Sequence, residues 1–68
     1  MREVRLVLTD IDATIRALHT SRTILGYNPE HGVLEPTPES PRYHITFSNS
    51  ANWNKVRSHL NERDYTIE

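Results

Sequence analysis

The chain opens with the stretch EVRLVLT, residues 3–9, in which apolar and polar side chains alternate. Successive side chains of an extended segment point to opposite faces, so Val4, Leu6 and Leu8 share one face. The sequence therefore predicts a first strand that lays an apolar row against a core.

A helix is predicted directly after this strand. Thr9 or Asp10 can accept hydrogen bonds from the first free N–H groups of a helix, and acidic side chains suit its positive end. Apolar residues then recur at helical spacing, at Ile11, Ile15 and Leu18. We expect an amphipathic helix of about three turns with this stripe facing the core, ending near Ser21 or Arg22.

The middle of the chain predicts a short strand and a long loop. Residues 23–27, TILGY, are short, β-branched and aromatic, and a turn pair, Asn28-Pro29, follows them. Residues 28–41 hold all four prolines, a spacing that neither a helix nor a central strand accepts. So long a connection is typical either of a functional protrusion or of a mobile segment.

The last part of the chain repeats the pattern of strand followed by helix. RYHITF, residues 42–47, alternates and predicts a strand, and the following SNSAN is rich in helix-capping side chains. Helical spacing then predicts a second helix over 50–63 with its apolar side on Trp53, Val56 and Leu60. Residues 64–68 predict a last strand.

The resulting order, βαββαβ, resembles the ferredoxin-like plait over the whole chain. That resemblance implies an α+β fold with a four-stranded antiparallel sheet of order 4-1-3-2 and both helices on one face. Every predicted apolar stripe then has a place in one core, and residues 1–68 form a single small domain.

Composition excludes several classes of protein. The chain has 68 residues, a formal net charge of -1 and no Cys, so no disulfide framework, thiolate metal site or thiol nucleophile exists. No stretch approaches the roughly 20 apolar residues of a membrane span, and the N-terminus lacks a signal-peptide pattern. We expect a free-standing cytoplasmic protein, too small for most enzyme folds.

One motif could carry catalysis. The string VLTDIDATI, residues 7–15, resembles the first motif of haloacid-dehalogenase-type phosphatases. That resemblance implies Asp10 as nucleophile, Asp12 as acid/base and a magnesium ion beside them. The family also needs a lysine and a later acidic pair, but the only lysine here is Lys55 and no such pair follows. The sequence therefore favours helix capping by the two aspartates.

Asp10 and the four histidines are the other residues that could bind a metal ion. Asp10 at the end of the first strand resembles the position of an acidic residue in some plait-fold nucleases, where a dimer pairs two carboxylates around a metal. The four histidines, at 19, 31, 44 and 59, have no zinc-binding spacing. The sequence predicts no metal site, no cofactor and no catalytic residue.

Nucleic acid is a further candidate partner, because RNA-recognition motifs share this topology. Those proteins stack bases on exposed aromatic residues of the central strands, whereas Tyr43 and Phe47 have the parity of the core. The open face of the sheet would instead offer Arg5, Val7, His44 and Thr46. Binding through Arg5, His44 and the basic residues of the second helix is kept as the alternative function.

The sequence is interpreted first as a small non-catalytic protein-binding module of the inhibitor, adaptor or antitoxin type, as phages and other mobile elements encode. Its larger protein partner would contact the acidic Pro-rich loop, together with either a face of the second helix or an exposed sheet edge. The predicted binding residues are Glu30, Val33, Leu34, Glu35, Glu39, Lys55, Arg57 and His59. A homodimer through a sheet edge and a metal-dependent nuclease or phosphatase using Asp10 stay open.

Overall fold

The computed structural model describes residues 2–35 and 42–68, apart from the side chains of residues 34 and 35. Four strands and two α-helices follow one another in the order β1, α1, β2, β3, α2, β4, with two single-turn 3-10 helices before the last strand. Their bounds are β1 Val4–Leu8, α1 Ile11–Leu25, β2 Glu30–Glu35, β3 Arg42–Phe47, α2 Ser50–Val56, 3-10 turns Arg57–His59 and Glu62–Asp64, and β4 Thr66–Ile67.

The fold is α+β, with a four-stranded antiparallel sheet and two helices. The strand order is β2-β3-β1-β4, which read from the other edge is the predicted 4-1-3-2. Both helices contact β3 and each other, so they cover the same face of the sheet.

The two central strands confirm the alternation in the sequence. Leu6 pairs with Ile45 across β1 and β3, and both side chains are fully buried beneath the helices. Leu8 and Phe47 lie on the same face and are equally buried. The predicted bounds of these strands hold to within one residue.

Helix α1 is longer than predicted, and the predicted strand over 23–27 is wrong. The helix continues to Leu25 and ends where Gly26 adopts the left-handed conformation, with φ 82°. The Gly26 N–H donates to the Arg22 carbonyl at 2.8 Å, and the Thr23 hydroxyl donates to the His19 carbonyl at 2.9 Å. Backbone capping by glycine therefore outweighs the strand propensity of these β-branched residues.

Strand β2 lies inside the segment that was predicted to be one loop. It runs from Glu30 to Glu35, between Pro29 and the prolines that begin at position 36, and no proline interrupts it. It pairs with β3 along its length, with a register shift between Val33 and Glu35. Prolines thus flank this edge strand in the sequence, and the rest of the predicted loop, residues 36–41, lies outside the described residues.

The apolar stripe predicted for α1 is also wrong in part. Ile11 and Ile15 are 49% and 57% exposed. The buried side chains of this helix are Ala13, Thr14, Ala17 and Ser21. Thr14 and Ser21 lose no hydrogen bond there, since their hydroxyls donate to the carbonyls of Asp10 and Ala17.

Helix α2 is shorter than the predicted range of 50–63. It ends at Val56 and gives way to the two 3-10 turns, so Leu60 lies outside it and is only partly buried. Trp53 and Val56 are buried as predicted. The Trp53 ring lies 5.5 Å from the rings of both Phe47 and Tyr65, which anchors α2 on the sheet beside β4.

Candidate functional site

The predicted binding residues fall on two separate surfaces. Glu30 and Val33 are exposed on β2, an edge strand. Leu34 and Glu35 belong to the same strand, but their side chains are not described, and Glu39 lies outside the described residues. The acidic loop of the sequence prediction is therefore, from residue 30 to residue 35, a sheet edge.

The basic group lies on the other surface. Lys55 is in the last turn of α2, and Arg57 and His59 form the ends of the first 3-10 turn. All three are exposed, and none makes an ion pair with another described residue. This surface is available to solvent, but no described contact joins it to β2.

An exposed apolar surface, which the sequence reasoning missed, lies beside β2. Leu8, Tyr43 and Val33 form one row across β1, β3 and β2, so Val33 has the parity of the helix-covered face. Val33 is nevertheless 51% exposed, because it stands at the sheet edge.

The start of α1 lies at the same end of the molecule. Strands β1 and β2 are both antiparallel to β3, so their carboxyl ends point the same way, and α1 begins three residues after Leu8. Ile11 and Ile15 thus stand above the sheet at the end where Val33 lies. We call Ile11, Ile15 and Val33 the apolar corner.

The apolar corner has an acidic border at the start of α1. Asp10 caps the helix, because its Oδ1 accepts the Asp12 N–H at 2.8 Å. Both carboxylates are exposed. The capping role predicted for Asp10 is confirmed, and Asp12 adds negative charge in the first turn.

On the open face of the sheet, polar side chains contact one another. Arg5 Nε donates to Thr46 Oγ1 at 3.4 Å, and Arg5 Nη1 lies 3.5 Å from Glu68 Oε1. His44 Nδ1 lies 3.3 Å from the same Thr46 oxygen. Arg5 and His44, the candidate nucleic-acid contacts of this face, are thus engaged with neighbouring side chains.

A shallow cleft of about 330 Å³ opens at the edge where β4 meets the end of β1. Val7, Thr9 and Arg42 line one part of it, and Arg63 and the residues through Thr66 line another, together with Glu68. Val7 pairs with Thr66 on the open face, so the cleft and the apolar corner lie on opposite faces and at opposite edges.

The described residues contain neither a group of metal ligands nor a membrane-spanning helix. Within residues 2–35 and 42–68, no three His, Asp or Glu side chains are grouped to hold a metal ion. In the same part of the chain, no helix has the length and apolar character to cross a membrane.

Arg42 and Arg63 share a cleft although they are distant in sequence, and only the strand pairing that brings β3 and β4 to either side of β1 could have revealed this. The exposure of the isoleucines could have been predicted from the competing row of Ala13, Ala17 and Ser21 at helical spacing.

The chain matches no protein family model, and no curated protein or solved structure is significantly similar to it.

Proposed function

We propose that this chain is a small non-catalytic protein-binding module that docks a larger protein through the apolar corner. The observation that carries the proposal is the exposure of Ile11, Ile15 and Val33, each about half accessible, at one end of the fold. Scattered exposed apolar residues are ordinary, whereas apolar side chains at the same end of the fold, at one helix start and one strand edge, can serve a partner as one surface.

The energetics support a modest but specific contact. Fully burying an aliphatic side chain contributes about 1.5–3 kcal/mol, so covering the exposed half of each corner side chain contributes about 1 kcal/mol. The corner sits next to β2, whose outer edge can add main-chain hydrogen bonds to an extended partner segment. Apolar contact and strand pairing would then act on the same partner.

The acidic side chains beside the apolar corner favour a partner with a basic surface. Asp10 and Asp12 border the corner at the start of α1, so the partner surface is best matched by apolar side chains flanked by Lys or Arg. Opposite charges of this kind raise the association rate and orient the encounter. The basic surface of Lys55, Arg57 and His59 would repel such a partner and stays a separate prediction.

The test compares substitutions of exposed isoleucines at the apolar corner and at the opposite edge of the sheet. The double variant Ile11→Ser/Ile15→Ser removes most of the corner, while Ile67→Ser changes an isoleucine of β4 that is 54% exposed at the opposite edge. Each variant serves as bait in a lysate of the native host, with quantitative mass spectrometry of the captured proteins. The partner is a protein retained by the wild type and by Ile67→Ser but lost with the double variant.

Calorimetry with the purified partner then measures the affinity. We expect the double variant to weaken binding about tenfold or more, because two apolar contacts are lost, and Ile67→Ser to leave it unchanged. Equal affinity for all three proteins contradicts the proposal. Sedimentation of the protein alone shows whether a second copy covers the corner, in which case the double variant is the one that dissociates.

We also propose that the architecture is a ferredoxin-like plait. The strand order and the shared helix face support this, and the two-residue β4 is its weakest element. The Glu68 N–H donates to the Arg5 carbonyl at 2.9 Å, which extends the pairing of β4 beyond those two residues. Cross-strand nuclear Overhauser effects between Leu6 and Ile67 in solution test it, and their absence would leave a three-stranded sheet.

A further inference from the structure

The cleft beside β4 gathers positively charged and hydroxyl side chains. Arg42 and Arg63 contribute guanidinium groups, and Thr9 and Thr66 contribute hydroxyls. Guanidinium groups and hydroxyls are the donors that proteins use to bind the oxygens of phosphate.

Two carboxylates also line the cleft, and each faces a different arginine. Asp64 Oδ1 lies 3.3 Å from Arg16 Nη2, and Glu68 Oε1 lies 3.5 Å from Arg5 Nη1. In the described part of the chain, neither carboxylate forms an ion pair with Arg63. These exposed pairs offset the negative charge of Asp64 and Glu68 within the cleft.

The backbone at Arg63 is fixed by hydrogen bonds, and its side chain is exposed to solvent. Its N–H donates to Asn61 Oδ1 at 3.0 Å, and the next N–H, of Asp64, donates to the Asn61 carbonyl at 2.9 Å. These bonds fix the 3-10 turn that carries Arg63. Among the described residues its guanidinium makes no hydrogen bond or ion pair, so its charge is available to a ligand.

We propose that this cleft is a binding site for a phosphoryl group, with Arg63 as its principal contact and Arg42 as a second. Phosphate presents several acceptor oxygens in different directions, which suits donors that reach the cleft from β1, β3 and the turn before β4. The site is separate from the apolar corner and does not depend on the proposed protein-binding function.

The experiment is a titration of ¹⁵N-labelled protein with inorganic phosphate, followed through amide chemical shifts. Chloride at matched ionic strength is the reference for screening. Arg63→Gln removes the principal contact, and Arg22→Gln makes the same charge change at an exposed position in the last turn of α1. An oligothymidylate, titrated in parallel, separates a phosphodiester ligand from a phosphomonoester.

We expect saturable shifts at Val7 and Thr66 with phosphate and not with chloride, weakened about tenfold by Arg63→Gln and unchanged by Arg22→Gln. If the oligothymidylate shifts the same amides more strongly, the ligand is a nucleic-acid backbone. If it does not bind, the ligand is a phosphomonoester. Shifts that chloride reproduces, or that persist in Arg63→Gln, overturn the site.

Discussion

The imidazole of His44 lies over Gly32, its cross-strand neighbour on β2. A Cβ placed at residue 32 would stand 3.0 Å from His44 Nε2, closer than nearly all real contacts of this kind. The ring is also held from the other side, because Nδ1 lies 3.3 Å from Thr46 Oγ1. Because Gly32 has no side chain, the His44 ring can lie close to the position that a Cβ would take.

Gly32→Ala should therefore destabilise the protein although its backbone angles permit alanine. The new methyl group must displace the His44 ring and weaken its contact with Thr46, at a cost of about 1 kcal/mol. In a His44→Ala background the same change should stabilise by about 0.5 kcal/mol, because alanine lowers the entropy of the unfolded chain. Urea denaturation of the four proteins measures both values.

Gly26→Ala is the control for this cycle. Nothing lies within 4 Å of a Cβ at residue 26, but its φ of 82° strains any L side chain. The cost, about 1 kcal/mol, should be the same with or without His44. The proposed role of the His44 contact is wrong if His44→Ala does not reverse the sign of the stability change caused by Gly32→Ala. It is also wrong if His44→Ala reverses the sign for Gly26→Ala.

The isoleucines of α1 allow a second prediction. Ile15→Ala should change the free energy of unfolding by less than about 0.5 kcal/mol, since most of its surface is already in water. Leu6→Ala, at a fully buried position, should cost about 2–5 kcal/mol. Thermal or urea melts compare them. A large loss for Ile15→Ala would return this residue to the core that its helical spacing first predicted.

The contrast between β1 and α1 explains how much the sequence could predict. Alternation in a strand assigns each residue to one of two faces, and the apolar set of β1 leaves no doubt which face is inside. A helix offers a continuous range of orientations. Two sets of residues in α1 favour different orientations of the helix. One set is the larger apolar residues, and the other is the row of small residues at Ala13, Ala17 and Ser21. The row of small residues is the one that is buried against the sheet.

The end of α1 differs from the sequence prediction for another reason. Local propensity favours a strand at residues 23–27, while Gly26 and the proline at 29 together form the usual signature of a helix end. The candidate site was harder still. The apolar corner and the cleft beside β4 each combine residues from separate elements, so neither leaves a motif in the sequence.

The end of α2 provides a third prediction. Because Val56 is fully buried and Leu60 only partly, Val56→Ala should cost about 2 kcal/mol and Leu60→Ala about 1 kcal/mol, although leucine loses more carbon atoms. The helical spacing alone had placed both in the core equally. Urea melts decide the order, and a larger cost at Leu60 would mean that the helix continues beyond Val56 in solution.

The last prediction separates capping from catalysis at the first strand end. Asp10→Ala removes the acceptor of the Asp12 N–H and should cost about 0.5–2 kcal/mol, whereas Asp10→Asn keeps an oxygen there and should cost less. Asp12→Ala is the matched control, since its carboxylate accepts no described hydrogen bond and contributes only through the helix dipole. Calorimetric titration with magnesium and manganese accompanies the melts. A saturable metal site abolished equally by Asp10→Asn and Asp12→Ala would restore the phosphatase-like interpretation, and heat signals that match buffer alone leave Asp10 as a helix cap.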